Sequence, residues 1–234
     1  MRVLMLSKAL VTGVYQKKAE ELAKLPGVEL LVVTPPYWTE ARVGRLELER
    51  RFTTGYELVV EPMRFNGRHH LHWYPGLGKQ MRRFRPDLVH IDEEPYNWVT
   101  MHALLQAERV GARAIFFAYQ NIYRRYPPPF SLFEQRIYAR AAGGLAGNQD
   151  ALDVLRRKGF RGRGEVIPQF GVDPDIYRPL RPPAQQPEPI VAYYGRLVPE
   201  KGVDTIIDAL AQLPPPSRAV IVGAGSERTA LQER

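Results

Sequence analysis

The sequence predicts an α/β protein with a parallel β-sheet, and three observations support that fold class. Residues 2–7 and 28–34 are apolar runs of strand length, and residues 15–25 between them show a helical period. Pro26 and Gly27 end the helical segment, so the chain opens as a strand-helix-strand unit. Both apolar runs are continuous rather than alternating, which is typical of parallel strands that are covered on both faces.

The alternation of strand and helix patterns continues along the chain. Further strands are predicted at residues 56–62, 87–92, 113–118, 141–148, 190–194 and 218–222, and further helices at residues 98–109, 131–142, 149–158 and 203–213, with a basic helix ending at residue 85. Residues 37–51 are rich in charge and lack an apolar period, which predicts an exposed helix or an irregular connection. Ser131 and Glu134 have the spacing of a capping box, so we expect them to begin one of the helices.

Composition and charge exclude several classes of function. The 234 residues include no cysteine, which excludes a disulfide framework, a thiolate metal site and a cysteine nucleophile, and suits a cytoplasmic protein. No apolar run approaches the roughly 18 residues of a membrane-spanning helix, and Lys8 interrupts the N-terminal run, which we predict to be the first strand. A net charge of +8 favours phosphorylated ligands, other polyanions or an anionic membrane surface as partners.

The positive charge is concentrated in two segments. One contains Lys79, Arg82, Arg83 and Arg85, and the other extends over residues 156–163. Solvated helix faces are one interpretation, and peripheral attachment to an anionic membrane is another. Nucleic acid is not expected as a partner, because no zinc-finger, RNP-type or helix-turn-helix pattern accompanies the charge.

Residues 195–202, with the sequence GRLVPEKG, form the clearest candidate site. They lie between a predicted strand and a predicted helix, where open α/β sheets bind ligands and where a helix N-terminus favours anions. Arg196 and Lys201 are five residues apart, so a guanidinium and an ammonium are able to converge on one diphosphate. The alternative is that both are ordinary solvated loop charges.

Other ligand signatures are weak. The loop after the first strand has the single glycine Gly13 instead of G-x-G-x-x-G, which argues against NAD or FAD binding there. His69, His70 and His72 cluster in a predicted loop without a placed carboxylate, which disfavours a metal site. An exposed or acceptor-facing loop is the preferred interpretation of these histidines.

Four sequence motifs resemble those of one enzyme family. Residues 195–202 resemble the G-R-hydrophobic-x-x-x-K-G segment that opens the donor-binding domain of retaining GT-B glycosyltransferases, in particular glycosyltransferase family 4. Residues 171–179 resemble the GVD-P-x-x-[FY]-x-P signature that closes the first domain of that family, so Asp173 and Asp175 are not taken for the metal-binding DxD motif of GT-A transferases. Residues 86–90 resemble the family's P-D-hydrophobic-hydrophobic-H stretch, and residues 223–225 its glycine turn.

The resemblance implies twin Rossmann-like domains, the first complete and the second truncated. Residues 1–179 would form the acceptor domain, residues 180–189 a proline-rich linker, and residues 190–234 the start of the nucleotide-sugar-binding domain. The implied reaction moves a sugar from a nucleotide diphosphate sugar to an acceptor hydroxyl with retained anomeric configuration, without a metal or other cofactor. Because only two strands of the second domain are recognisable, we expect this chain alone to be inactive.

On the donor side, the resemblance assigns roles to five residues. Arg196 and Lys201 would be catalytic, because they would neutralise the charge that develops on the leaving diphosphate. Gly13, Gly195 and Gly202 would belong to the loops that contact the donor.

On the acceptor side, the candidates are Glu93, Glu94, Gln120 and Asn121, which follow two predicted strands. Acidic residues that precede a helix are also stabilised by the helix dipole, which is the alternative explanation for the two glutamates. In many family members a histidine lies near the position of Gln120 and Asn121, and here an amide would orient a sugar hydroxyl instead.

The implied partners are a nucleotide-sugar donor, a glycan or lipid-linked acceptor and the inner face of a membrane. Two alternatives remain open at this point. A nucleotide-sugar 2-epimerase shares the GT-B architecture, and a non-catalytic basic binding protein would share the charge.

Overall fold

The computed structural model describes residues 1–41, 44–178 and 190–234. The chain divides into two compact units, Met1–Val172 and Asp173–Arg234. The predicted linker at residues 180–189 lies outside the described residues. Each unit is built from alternating strands and helices, and each is described here by itself.

The first unit is the larger one. In chain order it contains β1 (Arg2–Leu6), α1 (Lys17–Ala23), β2 (Glu29–Thr34), β3 (Tyr37–Glu40), β4 (Gly44–Glu47), β5 (Glu57–Val60), α2 (Leu77–Phe84), β6 (Leu88–Ile91), α3 (Trp98–Arg109), β7 (Arg113–Ala118), α4 (Phe130–Arg140), β8 (Gly143–Ala146), α5 (Gln149–Arg157) and β9 (Gly164–Val166). Two 3-10 turns, Ala9–Val11 and Gly13–Gln16, precede α1.

Seven of these strands form one sheet in the order β5-β2-β1-β6-β7-β8-β9, and every pairing within it is parallel. The prediction of an α/β protein with a parallel sheet is therefore confirmed. Because all seven strands run in one direction, their carboxyl ends meet at one edge of the sheet. The order changes direction at β1, which lies between β2 and β6, and ligands of open α/β sheets bind beside such a position.

Both faces of the sheet are covered. Leu4 and Leu6 of β1 belong to a core cluster that includes residues from α2, α3, α4 and α5, whereas Met5 packs on the opposite face with Ala19 of α1. Consecutive residues of β1 are thus buried on opposite faces. This explains why the strand sequences are continuously apolar.

Two local predictions are wrong. Residues 37–51 contain the antiparallel hairpin of β3 and β4 instead of a helix or an irregular connection. The hairpin buries mainly one large apolar side chain, Trp38, so its sequence carries no clear period. Ser131 does not cap a helix, because α4 begins at Phe130 after Pro129 and no side chain caps it.

The second unit contains β10 (Ile190–Tyr194), a 3-10 turn at Pro199–Lys201, α6 (Val203–Leu210), β11 (Arg218–Val222) and α7 (Arg228–Glu233). The two strands pair in parallel, with Ile190 opposite Arg218 and Tyr194 opposite Val222. Among the described residues of both units, no helix combines the length and the apolar character needed to cross a membrane.

Candidate functional site

Charged and polar side chains collect at the carboxyl edge of the large sheet. Ser7 and Lys8 follow β1, three acidic residues follow β6, and Gln120 follows β7. Because these three strands are neighbours in the sheet, the side chains form one continuous polar region beneath the loops.

Asp92 is buried and links three separate segments of the first unit. Its Oδ2 accepts hydrogen bonds from the Ser7 hydroxyl at 2.8 Å and from the Lys18 ammonium at 3.2 Å. Its Oδ1 accepts one from Gln169 Nε2 at 3.2 Å. Phe170 stacks on Tyr15 with ring centroids 3.9 Å apart, which fixes the same segment a second time. Asp92 therefore holds this edge of the unit together.

Glu93 is also buried, and it forms an ion pair with Lys8 through Oε2. Its Oε1 lies 3.4 Å from His72 Nε2, and the geometry of that contact leaves both atoms without a hydrogen bond. Burial raises the pKa of Glu93, but Lys8 and His72 outweigh burial and lower it to about 2. Glu93 is therefore ionised at neutral pH and neutralised by its neighbours.

His72 corrects the interpretation of the histidine cluster as an exposed loop. Its side chain is fully buried, and its ring lies edge-on to Trp38 with centroids 5.3 Å apart. His69 is half exposed, and the centroid of its ring lies 5.1 Å from that of Trp38. Within the described residues, no three metal-ligating side chains converge on a point.

Glu94 lies in a different environment from Glu93. Its Oε1 accepts a hydrogen bond from the backbone N–H of Tyr119 at 2.8 Å, whereas its Oε2 is buried and has no hydrogen-bond partner. Burial raises the pKa of Glu94 to about 7, although the N–H groups of Tyr119 and Gln120 and the charge of Lys8 lower it in part. Near neutral pH this carboxyl group is able both to accept and to donate a proton.

Gln120 is held by a buried cation. Its Oε1 accepts a hydrogen bond from Lys158 Nζ at 2.9 Å, and its Nε2 is buried without a hydrogen-bond partner. Lys158 Nζ also donates to Glu134 Oε1 at 2.7 Å. Asn121, the neighbouring candidate, is exposed. Of the four predicted acceptor-side residues, Glu93, Glu94 and Gln120 each have one buried atom without a hydrogen-bond partner, whereas Asn121 faces solvent. Glu93 differs from the other two because its second oxygen is paired with Lys8.

Gly13 lies at the start of a 3-10 turn, and its backbone N–H is already occupied. It donates to Glu49 Oε2 at 2.8 Å, and a Cβ at this position would lie 2.6 Å from the same oxygen. Gln16 fastens the segment further, because its Oε1 accepts from the backbone N–H of Arg51 at 3.0 Å. The backbone N–H of Gly13, a residue of the loop predicted to contact the donor, is therefore bonded to the segment that follows the hairpin.

The loop after β10 carries Arg196 and Lys201, and both side chains are exposed. Neither forms an ion pair within the described part of the chain. The backbone at Gly202 has φ +60°, a left-handed conformation that lets the 3-10 turn stop and α6 begin. Gly195 precedes Arg196, and its N–H donates to the carbonyl of Val222 at 3.0 Å.

The turns after β10 and β11 are in direct backbone contact. The N–H of Leu197 donates to the carbonyl of Ala224 at 2.9 Å. A Cβ on Gly223 would lie 1.8 Å from the Gly195 carbonyl oxygen, and one on Gly225 would lie 2.0 Å from that of Leu197. The glycine pair is therefore required for packing of this turn against the loop that carries Arg196.

The two basic segments differ in their surroundings. In the second, Arg156 donates to the carbonyls of Phe160 and Gly162 at 3.0 and 2.7 Å, and Lys158 is buried against Glu134. Much of its charge therefore serves intramolecular contacts. The basic residues of the first segment are exposed on and just after α2: Lys79, Arg82, Arg83 and Arg85.

A concavity of about 530 Å³ lies at the amino edge of the large sheet. It lies at the opposite edge of the sheet from the polar region, because it is formed where the strands begin. Its lining consists of Val28, Glu29, Leu30, Gly55, Tyr56, Glu57 and Phe84. We do not assign a ligand to it, because it holds no convergent set of unpartnered polar atoms.

Comparison with known protein families identifies the class of this protein as a glycosyltransferase. A model described as Glycosyltransferase Family 4 matches residues 15–176, and one described as Glycosyl transferases group 1 matches residues 181–234. The first match covers more than half of the chain, so the chain belongs to glycosyltransferase family 4. The resemblance inferred from the four sequence motifs is confirmed.

Three of the solved structures that match this chain share little sequence with it. A UDP-N-acetylglucosamine 2-epimerase is 13% identical with a TM-score of 0.43, and the match covers 68% of this chain but only 45% of the epimerase. The glycosyltransferase VinC, solved in complex with DTDP, is 14% identical with a TM-score of 0.43, over 99% of this chain and 69% of VinC. The glycosyltransferase SsfS6 of Streptomyces sp. SF2575 is 13% identical with a TM-score of 0.38, over 95% of this chain and 68% of SsfS6.

These three likenesses are too distant to carry an argument about activity. A search of curated proteins gave no match.

Sequence reasoning missed the residues that hold the candidates in place. Lys8 and Lys18 flank the loop after β1, and their charge was not connected with the carboxylates after β6. Lys158 was interpreted only as part of a basic segment, and Glu134 only as part of a capping box. The structure pairs the two side chains with each other. The one available signal was the position of Lys8 directly after the first strand, at the sheet edge where Glu93 was already expected.

Proposed function

We propose that this protein acts as a retaining glycosyltransferase that moves a hexosyl group from a nucleotide diphosphate sugar to a hydroxyl of a glycan or lipid-linked acceptor. Membership of glycosyltransferase family 4 supports the general activity. Retention of configuration, the hexose and the acceptor class are inferences from the resemblance of the sequence motifs. No metal or cofactor takes part in the proposed reaction.

One observation carries the donor side of the proposal. Arg196 and Lys201 are exposed on a loop between a strand and a helix, and neither has an ion-pair partner among the described residues. Backbone contacts with the turn after β11 fix that loop. Two cations on a fixed loop suit a diphosphate, since charge-assisted hydrogen bonds to phosphate are strong. They would stabilise the negative charge that develops as the nucleoside diphosphate leaves.

The acceptor side rests on two buried atoms that lack partners. Glu94 follows β6, and Gln120 follows the adjacent strand β7. Neither Glu94 Oε2 nor Gln120 Nε2 makes a hydrogen bond in the described structure. An ionised carboxylate accepts hydrogen bonds and an amide NH₂ donates them, so the pair is complementary to a hydroxyl group. We infer that these two residues hold a sugar or acceptor hydroxyl, and that their contribution to the reaction is orientation.

Binding of nucleoside diphosphates tests the donor side. Isothermal titration calorimetry of UDP and GDP is expected to show weaker binding to Arg196→Ala and to Lys201→Ala, by about 1.5–3 kcal/mol for each lost charged hydrogen-bonding group, or roughly tenfold or more. Arg228→Ala is the matched control, because Arg228 is an exposed cation of the same unit that lies on α7. Equal affinities of all three variants and the unchanged chain would refute the diphosphate site. Because this chain alone is expected to be inactive, transfer and 2-epimerisation are to be separated by product analysis with a nucleotide sugar alone in a protein that has a complete nucleotide-sugar-binding domain.

A further inference from the structure

We propose that Lys158 is a positioning residue that fixes the Gln120 amide so that its NH₂ group, and not its oxygen, faces the bound hydroxyl. This inference rests on the proposed role of Gln120 in binding a sugar or acceptor hydroxyl. It assigns a function to a buried lysine that lies 38 positions away from Gln120 in sequence.

The contacts of Lys158 connect three elements of the first unit. It follows α5 as the C-cap residue, and its side chain is only 5% exposed. Its Nζ lies 2.9 Å from Gln120 Oε1 after β7 and 2.7 Å from Glu134 Oε1 on α4. The rings of Tyr126 and Tyr96 lie beside it, with centroids 5.0 and 5.7 Å from Nζ.

The chemistry of an ammonium group decides the orientation of the amide. Lys158 Nζ carries only hydrogen-bond donors, so the atom of Gln120 that faces it must be the carbonyl oxygen. The amide NH₂ must then point the opposite way, where Gln120 Nε2 is buried and unpartnered. A buried NH₂ without a partner is unfavourable, and an oxygen supplied by a ligand would satisfy it.

Glu134 explains why a cation is kept at this position. A buried ammonium is stable only when it is paired, and Glu134 provides the opposite charge. Glu134 is itself oriented by Tyr138, whose hydroxyl donates to Oε1 at 3.0 Å. Glu134 Oε1 thus accepts hydrogen bonds from both Tyr138 and Lys158, and Lys158 Nζ donates a second hydrogen bond to Gln120.

The orientation is measurable by NMR on the ¹⁵N-labelled 234-residue chain, with the Gln120 side-chain NH₂ signal assigned from Gln120→Ala. In the unchanged chain we expect a rigid NH₂ group on the nanosecond timescale. Lys158→Met is expected to lower its order parameter markedly, and Lys158→Arg to restore much of it, because a guanidinium also carries only donors. Glu134→Gln is the matched control, because it removes a charge from the same cluster but keeps a side-chain oxygen that accepts a hydrogen bond from Lys158 Nζ. We expect the Lys158–Gln120 contact to persist in this variant.

The variant Lys158→Met leaves Glu134 without its partner, so the double variant Lys158→Met/Glu134→Met provides a second, neutral background. A mobile Gln120 amide in both backgrounds supports the proposal. An order parameter that stays unchanged in both overturns it. Equal mobility in Glu134→Gln and Lys158→Met also overturns it, because the ion pair and not the contact with Gln120 would then control the amide.

A second arm connects the amide to its ligand. Titration with methyl α-glucopyranoside, methyl α-galactopyranoside and methyl α-mannopyranoside is expected to shift the Gln120 NH₂ signal for at least one sugar. Lys158→Met should weaken that response at least tenfold, and Glu134→Gln should preserve it. If no sugar shifts the signal in the unchanged chain while its rigidity still depends on Lys158, the hydroxyl-binding role of Gln120 is refuted and the orientation of its amide is upheld.

Discussion

The carboxyl edge of the large sheet and the loop after β10 use charge in opposite ways. At the sheet edge, Asp92 and Glu93 are buried and bound by lysines of the same unit. On the loop, Arg196 and Lys201 are exposed and form no ion pair within the described residues. Charges of the first kind are needed for the fold, and charges of the second kind are available to a ligand. Substitutions should therefore reduce stability at the edge and affinity on the loop.

The largest effect is expected from breaking the Lys8–Glu93 pair. Lys8→Met would leave a buried carboxylate uncompensated, which costs about 3–5 kcal/mol of the free energy of unfolding. Lys24→Met is a matched control, because Lys24 pairs with Glu21 on the exposed face of α1, where such a pair contributes about 0–1 kcal/mol. Urea unfolding at pH 7 measures both. A loss below about 1 kcal/mol for Lys8→Met would show that the pair is less important than its burial indicates.

A smaller effect that depends on pH should separate Glu94 from Glu93. The pKa of Glu94 in the folded chain, about 7, lies above its ordinary value of 4.5 because of burial. The folded state therefore binds this proton more tightly than the unfolded state does. Its stabilising contribution is fully present below about pH 4.5 and is lost as the pH rises through about 7.

Relative to Glu94→Gln, the unchanged chain should accordingly lose stability between these pH values, by on the order of 2–3 kcal/mol. Unfolding curves of both proteins at half-unit pH intervals test this. For Glu93 the sign is reversed, because its pKa is lowered to about 2 and its contribution disappears as the pH falls towards that value. If the free energy of unfolding of the unchanged chain, minus that of Glu94→Gln, increased with pH, the assignment of a raised pKa to Glu94 would be wrong.

The smallest effect on stability is expected in the second unit. Gly225→Ala places a Cβ 2.0 Å from the carbonyl oxygen of Leu197, so the turn must move and should lose about 1–3 kcal/mol of local stability. Hydrogen exchange of the amides in β10 and β11 reports this loss locally. Gly171→Ala is the control, because a Cβ there meets no atom within 4 Å. Equal exchange in both variants would show that the turn adapts without cost.

Much of the fold was predictable because apolar runs determine where strands form. The predicted strand and helix at residues 113–118 and 98–109 coincide with β7 and α3. The hairpin at β3 and β4 was not predictable, since one buried tryptophan gives no period. The burial of His72 was also missed, because Trp38, which packs against it, belongs to a distant segment of the sequence.

The candidate site was predictable in position and not in detail. Glu93 and Glu94 were expected at the end of a strand, and both lie there. Their different protonation could not be inferred, because Lys8 is 85 positions from Glu93 and Tyr119 is 25 positions from Glu94. Such long-range partners leave no mark in local sequence patterns. Lys158 is an example, because its basic segment was interpreted as a charged surface, whereas its side chain is buried in the structure.

In the second unit, the residues that determine the shape of the loop after β10 differ from those proposed to bind the ligand. The backbone contact between the turns after β10 and β11 is the reason. Peptide groups form the contact, so its shape depends on glycine at positions 223 and 225 and not on the side chain at 196. Exchange of Arg196 or Lys201 for residues of another charge should leave the loop in place. The ligand preference proposed for this loop is thus encoded at positions that do not determine its shape. On that proposal, the loop is a suitable starting point for redesign towards donors with a different leaving group.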